Sequence, residues 1–228
     1  VVATESEFAP FEFKSLVNGK DTLVGADIEL AKAIGEKLGV KVEFSVMSFD
    51  NVLANVQSGK ADIAIAGISV TDERKKVYDF SDSYYTSENV VIVKKDKVND
   101  YTSTDSLAKQ TVGTQKGSVQ ETVAKKQIPK ASVVSLASNG EMINELKSGQ
   151  LQAVVLEKAI AEGYIAQNDD LTLANFNLKS DGTDAYAVAT RKGSDDLLKE
   201  INAVIKETKD SGKFDQWLKE ASTYKQSK

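Results

Sequence analysis

The chain has 228 residues, which is enough to bury a sizeable core either as one large domain or as two smaller lobes. Its 41% of hydrophobic residues, its two prolines and a formal net charge of -5 with interspersed signs predict an ordered globular protein without a basic patch for nucleic acid. Cysteine and histidine are both absent. This excludes thiol nucleophiles, zinc sites built from these residues, and the side chain most used for acid–base catalysis near neutral pH.

The first part of the chain alternates strand-like and helix-like segments. A strand over 1–4 and a loop over 5–13 precede a helix over 25–39, whose apolar residues have helical spacing. Alternating residues predict a strand over 40–44, and a second helix ends at Gly59 before a buried strand formed by the apolar run that follows it. This β-α-β-α-β order predicts an α/β lobe with a largely parallel sheet.

The stretch after this buried run gathers polar groups at one point of the chain. Gly67 ends the strand, and its missing side chain lets a ligand approach the backbone. Thr71, Asp72 and Arg74 predict a capped short helix, and Ser69 adds a second hydroxyl beside it. Hydroxyls, free N–H groups and a guanidinium together suit an anionic group such as a carboxylate. The alternative is a strand, a turn and a solvated arginine.

The rest of the chain repeats the alternation. VLANVQSGKADIAI from Val52 resembles EMINELKSGQLQAVV from Glu141, each a helix that ends in Ser-Gly before a buried strand, which predicts two related halves. The predicted strands are 88–93, 111–113, 132–135, 152–155 and 184–190, and the predicted helices begin near Ser118, Asn139 and Glu157 and span 197–205 and 214–218.

One long stretch, GISVTDERKKVYDFSDSYY from Gly67, resembles the signature of the family 3 extracellular solute-binding proteins, the polar amino acid receptors that feed ABC importers. Four further stretches match in the family's order, so the resemblance covers essentially the whole chain. They are ATESEFAPFEF from Ala3, LVGADIELAKAIGEKLG from Leu23, VGTQKGSVQETV from Val112 and SGQLQAVVLEKAIAEGY from Ser148.

The resemblance implies the two-lobed type II periplasmic-binding-protein fold, an α/β fold in which each lobe is a mainly parallel sheet flanked by helices. Lobe 1 is then 1–91 plus 186–228, lobe 2 is 92–185, and two strands form the hinge between them. In this fold a small ligand is enclosed by closure of the lobes.

For an amino acid ligand, the resemblance implies partners for the carboxylate. Arg74 supplies the charged fork and Ser69 a backbone N–H. Ser118 and Val119 lie at a helix start in the second lobe, where the family donates further N–H groups. Val119 departs from the family's more usual threonine, so its backbone alone is expected to take part.

The resemblance also implies partners for the α-ammonium group. The family places an acid, usually aspartate, at the position of Glu157. The carbonyl of Gly67 is its second partner. The alternative for Glu157 is a glutamate that only stabilises a helix N-terminus.

Four residues are expected around the ligand's side chain. Phe8 matches the family's stacking aromatic, and Phe49 lies where the family often has a second apolar or aromatic residue, so two facing rings suit a guanidinium or a methylene stem. Glu5 stands where receptors for basic amino acids carry an acid, and Gln115 is neutral where glutamine receptors carry a cation. The combination favours arginine, then lysine or ornithine. The alternative for Glu5 is a solvent-facing acid in a loop.

We therefore expect an extracellular substrate-binding protein of an amino-acid ABC transporter, a monomer without cofactor or metal, with the importer's membrane subunits as partners. A receptor for a polar neutral amino acid such as glutamine is one alternative. A cyclic-acid dehydratase-like enzyme and a sensor domain of a longer receptor or channel are others. The lysine-rich, proline-poor composition predicts a Gram-positive source, in which an N-terminal segment removed from this sequence would carry a lipid anchor. Periplasmic location is the alternative.

Overall fold

The computed structural model describes residues 1–180 and 184–227. The strands are β1 (Val2–Thr4), β2 (Glu7–Phe8), β3 (Glu12–Val17), β4 (Lys20–Val24), β5 (Phe44–Val46), β6 (Ile63–Ala64), β7 (Tyr78–Thr86), β8 (Asn89–Lys94), β9 (Thr111–Gln115), β10 (Ser132–Leu136), β11 (Ala153–Glu157), β12 (Leu171–Leu173) and β13 (Ala185–Arg191). The helices are α1 (Ala26–Leu38), α2 (Phe49–Gln57), α3 (Asp72–Lys75), α4 (Val119–Gln127), α5 (Asn139–Ser148), α6 (Lys158–Gln167), α7 (Asp195–Asp210) and α8 (Lys213–Ala221).

The described residues divide into two compact units, 1–86 with 184–227 and 87–180. The first change of unit falls a few residues before the predicted boundary between 91 and 92, because β8 pairs along its length with β11 and β12 of the second unit. The second predicted boundary lies between 185 and 186. Residues 181–183 and 228, which the predicted lobes include, lie outside the described residues.

The first unit is built on a five-stranded sheet in the order β5-β1-β6-β13-β7. Four strands run in one direction and β13 runs against them, so the sheet is mainly parallel, as predicted. Leu30 of α1, Ile201 of α7 and Phe214 of α8 belong to one buried cluster of this unit, and Val52 of α2 belongs to another. The α/β class predicted from the sequence is confirmed.

The second unit repeats this arrangement. Its sheet has the order β10-β9-β11-β8-β12, and β8 is the strand that runs against the other four. The registers also correspond, because β1 pairs with β6 as β9 pairs with β11. The paired positions are Val2 with Ile63 and Ala3 with Ala64 in the first unit, and Val112 with Ala153 and Gly113 with Val154 in the second. The repeat predicted from the two Ser-Gly helices is therefore a repeat of structure.

The helices begin and end where local signals predict. Gly39 ends α1 in a left-handed conformation with φ of 67°; its N–H donates to the carbonyl of Glu36, and the N–H of Val40 donates to that of Gly35. Ser118 begins α4 and Ser138 begins α5, since each side chain accepts a hydrogen bond from a backbone N–H of the first turn. Within residues 1–180 and 184–227, no helix has the length and apolar character that a membrane crossing needs.

The prediction that 5–13 is a loop is wrong in part. Strands β2, β3 and β4 form a three-stranded antiparallel sheet. The turn between β3 and β4 has positive φ at both Asn18 (51°) and Gly19 (75°). Consecutive positive φ values in an Asn-Gly pair are typical of a two-residue hairpin turn, and this pair is the sequence signal that identifies the hairpin.

Candidate functional site

The predicted site residues lie at the carboxyl ends of parallel strands in both units. Glu5 directly follows β1, and Gly67 follows β6 in the first unit. In the second unit, Gln115 is the last residue of β9 and Glu157 the last of β11. The matching strand registers make Glu5 the counterpart of Gln115, and Gly67 the counterpart of Glu157. Such strand ends are where open α/β sheets bind ligands.

Phe8 is held by other aromatic rings of the first unit. Its ring stacks on that of Phe11 with centroids 5.2 Å apart and planes inclined by 18°, and it meets the ring of Tyr186 edge-on at 6.2 Å. Phe11 is fully buried, whereas Phe8 is half-buried. The core thus fixes one face of Phe8.

Gly67 has a role that the sequence did not indicate. Its φ is +56°, and a Cβ placed there would lie 2.7 Å from Cε1 of Phe8. The missing side chain therefore makes room for the ring of Phe8, whereas the sequence suggested room for a ligand. The N–H of Gly67 donates to Oδ2 of Asp27 at 3.0 Å, so its peptide is held from behind by a buried acid.

Replacing Gly67 by alanine should cost more stability than the same change at Gly149. Both glycines have positive φ, but a Cβ at Gly149 meets nothing within 4 Å. Each substitution should lose about 1 to 2 kcal/mol through backbone strain, and Gly67→Ala about 1 to 3 kcal/mol more, because Phe8 must leave its position. Urea unfolding measures both. Equal losses in the two variants would contradict the packing role of Gly67.

Arg74 lies in the short helix α3, whose first turn is capped by Thr71. Oγ1 of Thr71 accepts from the backbone N–H of Arg74 at 3.1 Å. The guanidinium donates through Nη1 to the carbonyl of Ser69 at 2.7 Å, and its Cζ lies 5.7 Å from the ring centroid of Phe49. A guanidinium has five N–H donors. The arrangement therefore orients Arg74 while leaving donor capacity for an anion.

The ring of Phe49 contacts Arg74, which the sequence did not predict. The sequence predicts a ring that faces Phe8 across a ligand. In the structure the ring of Phe49, 39% exposed, lies against a cation of its own unit. The facing pair of rings stays a prediction.

Two buried acids behind Glu5 were not predicted as part of the site. Glu12 on β3 and Asp27 in the first turn of α1 are both fully buried. Oδ2 of Asp27 accepts from the N–H of Gly67 and from Tyr84 Oη, each at 3.0 Å. Burial raises the pKa of Glu5 and of Asp27, and it raises the pKa of Glu12 well above its usual range, with the charge of Asp27 as a second cause. The sequence signal for these buried acids was Glu12, an acid between the apolar residues Phe11 and Phe13.

In the second unit, Ser118 organises the start of α4. Its Oγ accepts from the N–H of Glu121 at 3.1 Å and donates to the carbonyl of Gln115 at 2.6 Å. Gln115 also donates through Nε2 to the carbonyl of Ala137 at 3.3 Å. Val119 begins the helix with a side chain that is 57% exposed. The first-turn N–H groups that the sequence assigned to an anion are therefore present, and the Ser118 hydroxyl serves the helix itself.

Glu157 caps helix α6. It is buried, and its Oε2 accepts from the N–H groups of Ala159 at 2.9 Å and Ile160 at 3.4 Å, while Ser87 Oγ donates to Oε1 at 3.5 Å. The helix-terminus alternative describes these contacts of Oε2. An added role toward an ammonium group stays a prediction.

Each unit by itself offers groups that can meet charges of both signs. The first unit offers a guanidinium, a half-buried carboxyl and a half-buried aromatic ring, and the second offers a helix N-terminus and a buried carboxylate. Across the described ranges, no group of three or more acidic residues is arranged to hold a metal ion.

Comparison with known proteins gives consistent matches along the chain. The family model for bacterial extracellular solute-binding proteins, family 3, matches residues 1–221. A solved structure of the amino acid ABC transporter substrate-binding protein AbpA from Streptococcus pneumoniae Canada MDR_19A, bound to L-arginine, is 51% identical, with 97% of this chain and 93% of that chain covered and a TM-score of 0.73.

Two curated proteins of Bacillus subtilis (strain 168) are also similar to this chain. The arginine-binding extracellular protein ArtP is 34% identical over 224 residues, which cover 96% of this chain and 84% of ArtP. The ABC transporter glutamine-binding protein GlnH is 31% identical over 229 residues, which cover 96% of this chain and 81% of GlnH.

Proposed function

This chain belongs to the bacterial extracellular solute-binding proteins of family 3, and we propose that it captures a basic L-amino acid for an ABC transporter, with arginine favoured over lysine and ornithine. The family consists of solute-binding receptors and is not an enzyme family. Its fold is the type II periplasmic-binding-protein fold. We propose that the chain itself has no catalytic activity.

The position of Glu5 carries the proposal for a basic ligand. Its half-buried side chain lies between β1 and β2, and Phe8 of β2 has its ring stacked on that of Phe11. A carboxylate beside an aromatic face suits a guanidinium, which binds carboxylates bidentately and stacks on rings. Arginine is also the ligand in the similar AbpA structure and in the name of ArtP, which supports the same choice.

The remaining site residues are proposed for the groups that all α-amino acids share. Arg74, the N–H of Ser69 and the first turn of α4 at Ser118 and Val119 bind the carboxylate. The carbonyl of Gly67 and the carboxylate of Glu157 bind the ammonium group. These residues then recognise the groups that every α-amino acid has, whereas Glu5 recognises the ligand's side chain.

A polar neutral amino acid is the second candidate ligand. The similarity to GlnH, which is named as a glutamine-binding protein, favours it. Glu5 would then face a neutral group, and a half-buried carboxylate gains less from that contact than from a cation.

The proposed setting follows the family. We propose that the protein acts outside the cell membrane, that a lipid attached to a preceding segment anchors it there, and that it works as a monomer. Delivery to the membrane subunits of an importer completes the proposed function.

Thermal-shift screening against the twenty amino acids with ornithine and citrulline tests the proposal. A ligand that binds only the folded protein stabilises it by about 2.7 kcal/mol at a hundredfold excess over its Kd. We expect the largest shift with arginine and smaller shifts with lysine and ornithine. Glutamine above arginine would favour the second candidate, and no shift with any amino acid would overturn the proposed function.

A further inference from the structure

Three carboxyl groups come together behind the loop that contains Glu5. Glu12 and Asp27 are fully buried, and the N–H of Asp27 donates to the carbonyl of Phe11 at 2.9 Å, which places the first turn of α1 beside β3. The carboxyl of Glu12 lies within hydrogen-bonding reach of those of both Asp27 and Glu5. Adjacent buried carboxylates repel each other and lose their hydration.

Three buried oxygens of this cluster lack a hydrogen-bond donor. Oδ2 of Asp27 accepts from the N–H of Gly67 and from Tyr84 Oη, but Oδ1 of Asp27 and both oxygens of Glu12 have no donor when the two acids are ionised. An unpaired buried polar atom is costly. One proton on Glu12 removes a charge and supplies an O–H that can donate to the neighbouring carboxylate of Asp27.

The titratable groups that face Glu12 and Asp27 are all acids. Besides these two carboxyls themselves, they are Glu5 after β1 and Tyr84 on β7. Burial raises the pKa of Tyr84 well above its usual value, so its hydroxyl keeps the proton that it donates to Asp27. Because these facing groups are acids, they supply no positive charge to the cluster. A retained proton therefore neutralises it.

We infer that Glu12 is a positioning residue of the proposed site. It keeps a proton, donates a hydrogen bond to Asp27, and through Asp27 holds the peptide of Gly67. The inference rests on the proposed function, in which the Gly67 carbonyl binds the ligand's ammonium group. A neutral Glu12 also leaves Glu5 as the ionised carboxylate that faces the ligand's distal cation. One buried proton thus supports both ends of the ligand site.

Carbon-13 NMR of side-chain carboxyl groups tests where the proton lies without any ligand. The signal of Glu12 is identified by its loss in Glu12→Gln. We expect this signal to keep the shift of a protonated acid from pH 5 to pH 8. A shift typical of an ionised carboxylate at pH 7 would overturn the inference.

Binding of arginine and of citrulline by the full chain tests the positioning role. Glu12→Leu deletes the donor, so both ligands should bind about tenfold or more weakly, because the brace behind Gly67 is shared by all amino acids. Glu12→Gln restores an uncharged donor and should recover most of this loss for both ligands. Glu7→Gln is the control, since Glu7 is exposed on the neighbouring strand β2.

The pattern of affinity losses in these variants distinguishes a positioning role of Glu12 from a role as a second negative charge. If Glu12→Gln weakens arginine but not citrulline, Glu12 is a second negative charge and the inference fails. If Glu12→Leu does not fold, the NMR signal of Glu12 and the ratio of arginine to citrulline affinity in Glu12→Gln still test the inference. If the wild-type protein binds neither arginine nor citrulline, the proposed function fails while the NMR result stands by itself.

Discussion

Arg74→Ala is expected to weaken the binding of every amino acid ligand by about 2 to 5 kcal/mol, because it removes the charged partner of the shared carboxylate. The structure fixes this side chain by the bond to the Ser69 carbonyl and by the ring of Phe49. The guanidinium is therefore already oriented before ligand arrives, which lowers the entropy cost of binding. Isothermal titration calorimetry with arginine, lysine and glutamine measures the loss.

The chain's other arginine gives a matched control. Arg191 donates through Nη1 to the carbonyls of Val56 at 3.1 Å and Ala61 at 2.8 Å, so it connects β13 to the end of α2. Arg191→Ala should lower stability and leave affinity near the wild-type value. Arg74→Lys keeps the charge without the planar fork and should recover part of the loss. Near-normal binding by Arg74→Ala would remove Arg74 from the site.

Elements with strong local signals could be predicted from the sequence. The cap of Ser118 and the left-handed Gly39 depend on a few consecutive residues, so the bounds of α1 and the start of α4 follow from them. The structural repeat could also be predicted, because each of the two Ser-Gly helices precedes a buried strand in the same register. A signal of this kind needs no knowledge of distant contacts.

Contacts between distant residues could not be predicted in the same way. The pairing of Glu12 with Asp27 brings β3 against α1, and the bond from Tyr84 comes from a third element. The stacking of Phe8 over Gly67 likewise joins segments far apart in the chain. Sequence spacing gives the residue types at such places, but only the packing of the elements decides which of them meet.

Glu5→Gln is expected to cost arginine roughly 1.5 to 3 kcal/mol of binding free energy, since it deletes a charge but keeps size and most hydrogen bonding. Neutral ligands should lose little or gain. The measurement is the ratio of arginine to citrulline affinity in wild type and variant, because citrulline keeps the shape of arginine without its charge. Glu7→Gln makes the same chemical change at an exposed position and should leave the ratio unaltered.

The pH dependence of arginine binding gives a second measure of the same charge. Burial raises the pKa of Glu5, because the charged form loses its hydration. Arginine needs the ionised form, so its affinity should be full above this raised pKa and fall as the pH is lowered through it. Citrulline binding and the Glu5→Gln variant should lack this fall. If citrulline or glutamine binds the wild-type protein as tightly as arginine at neutral pH, Glu5 does not face a cation and the basic-ligand proposal is wrong.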